Sequence, residues 1–189
     1  MKKDNAPFEQ TCIPFPGLAN VNVCIRGDAA SGNPIEIEYK IRDFNDAACK
    51  SCDLASNESK LHGISSKLLA SIADFLNDKK PLDSSLLSES IIDASFKTAF
   101  SKKVITALRQ TKPGDRLTYG ELARLAGSPG AARAVGNVMR HNPFPIIIPC
   151  HRVVSPGGLG GYSGDVRGIS LDIKQHLLDI ETFMKQVGP

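Results

Sequence analysis

Apolar positions recur along this chain with two periods, and the change between them divides it. Between residues 35 and 44 they alternate, with Ile35, Ile37, Tyr39 and Ile41 at every second position, and residues 21–25 have the same strand-like texture. The intervening GDAASGNP supplies turn residues, so the two runs predict a pair of strands. Residues 46–58 are small and polar and read as a loop. From Ile64 the period lengthens: Ile64, Leu68, Leu69, Ile72, Phe75 and Leu76 recur at helical spacing, and Pro81 follows their end. Residues 83–93 are polar and read as a linker.

The second half is helical in pattern and more sharply punctuated. Phe96, Phe100, Val104 and Leu108 lie four residues apart and predict an amphipathic helix closed by Pro113-Gly114. Thr118 and Glu121 have capping-box spacing, and the helix they open runs to Gly127. Ser128-Pro129 predicts an immediate restart, with Ser128 as N-cap and Pro129 at the first helical position. The outline is that of a helix-turn-helix. Its second helix, GAARAVGNVMR, is built from small residues, with Arg133 the only long side chain before Met139. Each interior glycine costs a helix about 1 kcal/mol. What small residues allow is close approach, either of another helix or of a nucleic-acid groove into which Arg133 reaches.

After Asn142-Pro143, FPIIIPCHRVV predicts an apolar extended run, and the glycines at 157, 158, 160, 161 and 164 predict a hairpin-like loop or wing. A last helix, about 171–187, aligns Ile173, Leu177, Ile180, Met184 and Val187 on one stripe. Glu181 falls close to that stripe, as a boundary residue or as a buried group that must have a partner.

Composition places these elements in an ordinary globular protein: 189 residues, 41% hydrophobic and 23% charged. Such a chain is not disordered throughout, and it can bury a core without disulfide staples. It holds no apolar run of about 18 residues, so no transmembrane helix is expected, and MKKDNAPFEQ lacks the apolar stretch of a signal peptide. Charge is divided unevenly. Residues 1–95 carry 10 basic and 14 acidic side chains, and residues 96–189 carry 13 and 6. The expected architecture is therefore α+β in two domains: a small N-terminal α/β domain with a short antiparallel sheet over residues 1–93, then a mostly helical winged helix-turn-helix domain over 94–189. The second, basic domain would face a polyanion.

Five cysteines stand at 12, 24, 49, 52 and 150. An odd count at irregular spacing predicts free thiols in a reducing compartment. Cys49 and Cys52 form a single C-x-x-C with only His62 nearby, short of the four ligands of a structural zinc, so no metal is assigned. Cys150 differs from the others. It follows Pro149, precedes His151-Arg152 and sits in the basic half, where neighbouring cations favour thiolate. A Cys-His dipeptide alone decides little, because neighbouring side chains of an extended strand point to opposite faces.

The surrounding motifs decide more. IPCHRVV, with YGELA upstream, AARAVG and NP between, and GGYSG downstream, resembles the O6-alkylguanine-DNA alkyltransferases, or methylated-DNA–protein-cysteine methyltransferases. The resemblance runs from about Phe100 to Glu181 and is weak over residues 1–95. It implies single-turnover repair: the protein binds duplex DNA in the minor groove, flips out O6-alkylguanine (and O4-alkylthymine), and transfers the alkyl group irreversibly to Cys150, with no cofactor. His151 would take the thiol proton through a water, Glu181 would orient His151, Asn142 would brace the active-site turn, and Tyr119 would donate to the base. Val153, Tyr162 and Ser163 would complete the base pocket. Arg133 would fill the gap left by the flipped nucleotide. Gly120, Ala132, Ala134 and Gly136 would let DNA approach, and Ser101, Ser128 and Ser155 would meet phosphate. The protein would act as a monomer away from membranes, in bacterial or archaeal cytoplasm or in a eukaryotic nucleus.

Two features depart from the family pattern. Asp165 stands where glycine usually follows YSG, and the loop before the last helix is longer by a few residues. A lesion-binding module without transfer is the competing reading, and Cys150 argues against it. A cysteine hydrolase would need an oxyanion hole that nothing in the sequence specifies.

Overall fold

The computed structural model of the chain describes residues 8–18, 21–41 and 61–187. It divides into two compact units, residues 1–86 and 87–189.

In the first unit, strands β1 (Phe8–Pro14), β2 (Val21–Asp28) and β3 (Pro34–Ile41) form an antiparallel sheet in the order β1-β2-β3. The central strand β2 is buried on both faces, from Val21 through Ile25, which explains its dense apolar run. β1 is not foreseen from the sequence, because FEQTCIP carries no alternation and owes its conformation to pairing with β2. Helix α1 (Gly63–Asp78) buries Leu68, Leu69, Ile72, Phe75 and Leu76, as its period predicts. A Cβ at Gly27 would come within 2.6 Å of Ser65 Oγ, so glycine is what lets α1 lie this close to β2. Asp28 closes the β2–β3 turn by accepting from the backbone of Ala30 and Ser31.

The free-thiol expectation fails at Cys12 and Cys24. Antiparallel register sets the two directly opposite one another, and they form a disulfide. Strand register, and hence this pairing, is not readable from cysteine spacing. Cys49 and Cys52 lie outside the described residues, as do Phe44 and the loop expected at 46–58.

In the second unit the expected linker is partly helical. A 3-10 turn at Ser84–Leu86 ends the first unit, and α2 (Glu89–Ser95) follows, burying Ile92, with Leu87 buried just ahead of it. Helix α3 (Ala99–Arg109) starts later than the Phe96 period suggests. Thr98 and Ser101 form a capping box that fixes its first turn, leaving Phe96 buried ahead of it. β4 (Leu117–Thr118) leads into α4 (Tyr119–Leu125), capped by the expected Thr118–Glu121 box.

The next helix, α5 (Ala132–Arg140), begins later than expected. Residues 128–131 form a turn in which the Ala131 N–H donates to the Ser128 carbonyl, and Ser128 caps nothing with its side chain. Helices α3, α4 and α5 pack together around Val104, Ile105, Leu108, Leu122 and Val135. β5 (Val153–Val154) pairs in parallel with β4, and α6 (Ile169–Val187) completes the unit. The stripe on α6 ends early, since Val187 is 66% exposed. Among the described residues, no helix is long and apolar enough to cross a membrane, and no three metal-ligating side chains cluster.

Candidate active site

The FPIIIPC segment folds back on itself instead of extending. The Ile148 N–H donates to Phe144 O at 2.9 Å, and the Cys150 N–H to Ile148 O at 2.7 Å. Ile146 sits at φ 74°, a left-handed conformation that is costly for a β-branched residue and persists only where its surroundings enforce it. Asn142 supplies that enforcement. Its Oδ1 accepts from Phe144 N–H at 3.0 Å, and its Nδ2 donates to Ile148 O at 3.1 Å and to Cys150 Sγ at 3.2 Å. One amide therefore both staples the turn and touches the sulfur.

Cys150–Arg152 form a 3-10 turn, so Cys150 and His151 are not related as neighbours on a strand. His151 is fully buried, with Nε2 2.9 Å from Glu181 Oε1. The carboxylate can only accept, so Nε2 carries the proton and Nδ1 is left as a lone pair. Nδ1 is buried and has no hydrogen-bond partner among the described residues. Burial pushes the imidazole pKa below its ordinary value, against the pull of Glu181, which makes it a neutral base.

Burial alone would raise the Glu181 carboxyl, but the hydrogen bond from His151 and the hydrogen bonds and charge of Arg152 bring it down to about 2. Arg152 meets both carboxylate oxygens, at 2.7 to 3.0 Å, and also donates to Thr111 O and Oγ1. The Gly114 N–H adds a further bond at 3.0 Å. The near-stripe carboxylate of the sequence is thus a buried anion with every lone pair engaged.

Cys150 opens on a cavity of about 170 Å³. That is smaller than the roughly 300–1,000 Å³ of small-molecule sites and suits one flat heterocycle. Its wall is formed by Tyr119, by Gly136, Met139 and Arg140 of α5, and by residues 161–166. Ser163 and Gly164 both have positive φ, at 50° and 91°, and form a tight turn closed by the Tyr162–Asp165 bridge. Burial raises the Cys150 thiol, opposed by hydrogen bonds from Asn142 and Tyr162 and by the charge of Lys174. Tyr119 donates to Gly161 O at 3.3 Å, and burial holds its phenol protonated.

The expected residues divide by position. Cys150, Tyr119, Tyr162, Ser163 and Gly136 line the cavity. Asn142, His151 and Glu181 lie behind it, and the Val153 carbonyl, on β5, accepts from Lys174. Arg133 and Ala134 are exposed on α5, with Arg133 one turn ahead of Gly136. Gly120 is the second residue of α4 and Ala132 the first of α5. Ser101 belongs to the Thr98 capping box, and Ser155 closes a turn with Gly158. Asp165 lines the cavity and accepts from Ser170 Oγ at 2.8 Å.

Sequence reasoning missed Arg152 as the clamp on Glu181, Met139 and Arg140 as cavity wall, and above all Lys174. Helical projection could have found Lys174, three residues before Leu177 and seven before Glu181 on the buried face of α6. Nothing in the sequence marks Met139 or Arg140.

A cysteine thus lies on the wall of a small cavity, backed by a buried histidine–carboxylate couple on a small helical scaffold. Residues 99–183 match the family described as 6-O-methylguanine DNA methyltransferase, DNA binding domain. The chain belongs to the O6-alkylguanine-DNA alkyltransferases. It is 48% identical over 85 residues to a methylated-DNA–protein-cysteine methyltransferase of Thermococcus barophilus, covering 44% of this chain and 45% of that protein. It is 38% identical over 127 residues to one of Methanothermobacter thermautotrophicus, covering 67% and 66%. The O6-methylguanine methyltransferase of Mycobacterium tuberculosis shares its fold, with a TM-score of 0.61 at 23% identity over 97% of this chain and 96% of that one. The chain matches under half the length of several curated relatives, 45% and 37% for two of them.

Proposed function

We propose that this protein repairs DNA by moving the alkyl group of O6-alkylguanine, and of O4-alkylthymine, onto its own Cys150. The observation that carries this reading is the Cys150 sulfur on the cavity wall, bonded to Asn142 and backed by a neutral His151 fixed by ionised Glu181. His151 Nδ1 takes the thiol proton through a bridging water. The thiolate attacks the alkyl carbon, an S–C bond forms, the C–O6 bond breaks, and the base leaves as guanine after gaining a proton. Tyr119 and the backbone N–H near Ser163 stabilise O6 as charge develops there, and the carbonyls of Cys150 and Val153 read the exocyclic amine. The thioether is stable and nothing restores the thiol, so each molecule turns over once without a cofactor.

Residues 94–189 carry both DNA binding and acceptance in this reading. α4 and α5 act as a helix-turn-helix, the turns over 155–165 act as the wing, and α5 enters the minor groove by its small-residue face (Gly120, Ala132, Ala134 and Gly136 near the DNA). Arg133 fills the vacated stack beside the cavity that Gly136 lines, and Ser101, Ser128 and Ser155 approach phosphates. Extrusion costs least for a weakly paired lesion, which supplies part of the selectivity. The protein works as a monomer. Incubation with duplex containing O6-methylguanine should add one methyl group, about 14 Da, per molecule in a burst without further turnover. Tight binding with unchanged mass would instead mark a lesion-binding module.

A further inference from the structure

Lys174 has no exposed surface (0%) and sits in the middle of α6. Buried lysines are rare and persist where their charge is compensated. Here the compensation is main-chain carbonyl rather than carboxylate. Nζ donates to Val153 O at 2.6 Å, Leu159 O at 2.6 Å and Gly161 O at 3.0 Å, which uses all three of its protons.

The three acceptors lie in a stretch with little regular structure. They span β5, only two residues long, and the glycine-rich segment after it. Yet that segment builds the site. Gly161 lines the cavity, its carbonyl also accepts from the Tyr119 hydroxyl, and β5 directly follows the Cys150–Arg152 turn. A side chain present only to fill space here would be apolar.

We propose that Lys174 is a positioning residue for the transfer: it pins the carbonyls of Val153, Leu159 and Gly161, so holding the segment that reaches the cavity wall at Gly161, and it supplies a positive charge that favours the Cys150 thiolate. The proposal rests on the alkyl-transfer reading above. The ionisable groups facing the ammonium are Cys150 and His151 from the 3-10 turn and Tyr119 through Gly161, with Glu181 two turns along α6. Burial brings the Lys174 pKa down to about 8, and negative charge at Cys150 pulls it back up. The ammonium is therefore present at neutral pH and is lost as pH rises through that value. Burial holds the Tyr119 phenol above its ordinary 10.0, so it titrates later.

The test combines Lys174→Met, which removes donors and charge, with Lys174→Gln, which keeps donors and removes charge. Each is assayed for methyl transfer from an O6-methylguanine duplex, and for the pH midpoint of Cys150 alkylation by iodoacetamide, read on its own peptide by mass spectrometry. Transfer should fall at least about tenfold in both variants, and the alkylation midpoint should move to higher pH. A folded variant that keeps both the rate and the midpoint overturns the proposal.

The wild-type protein supplies a measurement that needs no variant to fold. Its transfer rate should bend downward above the pH at which Lys174 deprotonates, although thiolate formation alone would make it climb. A monotonic climb through the lysine range overturns the proposal as well. Because iodoacetamide needs no DNA, absence of methyl transfer in wild type would sink the repair reading while the alkylation midpoints still judge Lys174.

Discussion

His151 Nε2 and Glu181 Oε1 meet at 2.9 Å with both side chains at 0% exposure, and the same carboxylate is clamped by Arg152 through Nε and Nη2. Glu181 thus serves two cations or potential cations at once. It sets the tautomer that leaves Nδ1 basic, and it neutralises a guanidinium that could not be buried alone. Glu181→Gln keeps the shape and removes the charge. It should destabilise the protein by about 3–5 kcal/mol, because Arg152 is left without a counter-charge. Chemical denaturation checks this, and a midpoint equal to wild type would contradict the clamp.

Acid should weaken the fold in two stages. Burial depresses the His151 pKa below 6.5, so below that pH the unfolded chain takes up a proton that the folded chain refuses, and stability begins to fall. Glu181 is held at about 2 against an ordinary 4.5. Its contribution is complete above 4.5 and is lost as pH falls from there toward 2, amounting to about 3 kcal/mol. Denaturation curves from pH 8 to 3 should show both losses, and Glu181→Gln should lack the second.

Asn142→Ala should act on both stability and reactivity. It removes the staple across the 142–150 turn that holds Ile146 at positive φ, and it removes the bond to Sγ. A loss of about 1–3 kcal/mol is expected, together with a Cys150 alkylation midpoint at higher pH. Unchanged reactivity in a destabilised protein would confine Asn142 to bracing the turn.

Much of this site is written in one-dimensional pattern, and the residues show where that stops. The α1 stripe, the Thr118–Glu121 box and the Cys150–His151 pair can be read because each is local or lies within a motif. Glu181, 30 residues from His151, instead stands out only as a carboxylate near an apolar stripe and takes its role from the family resemblance. Ser128 is not the N-cap that Ser-Pro suggests, because the same dipeptide occurs where the chain first makes a turn, as it does through residue 131. FPIIIP reads as extended because apolar runs flanked by proline usually are; the Asn142 side chain, reaching six and eight residues ahead, joins the backbone bonds of Ile148 and Cys150 in folding it back. The Cys12–Cys24 bond and the Lys174 contacts depend on register and on how α6 packs, and neither is encoded in spacing.

Arg133→Ala tests the role assigned to α5. The side chain is exposed one turn from Gly136 on the cavity wall, where it can act on the duplex without touching the sulfur. Transfer from duplex should fall far more than transfer from the free alkylated base, because only the duplex requires extrusion. Equal losses on both substrates would refute the wedge.

The central claim is that the alkyl group ends on one particular sulfur. After reaction with a duplex carrying isotopically labelled O6-methylguanine, digestion and mass spectrometry should find the label on the peptide holding Cys150 in a 1:1 ratio with protein, and none on the peptides holding Cys12, Cys24, Cys49 or Cys52. Label on any of those four, or an unlabelled Cys150 in protein that has consumed the lesion, would contradict the account.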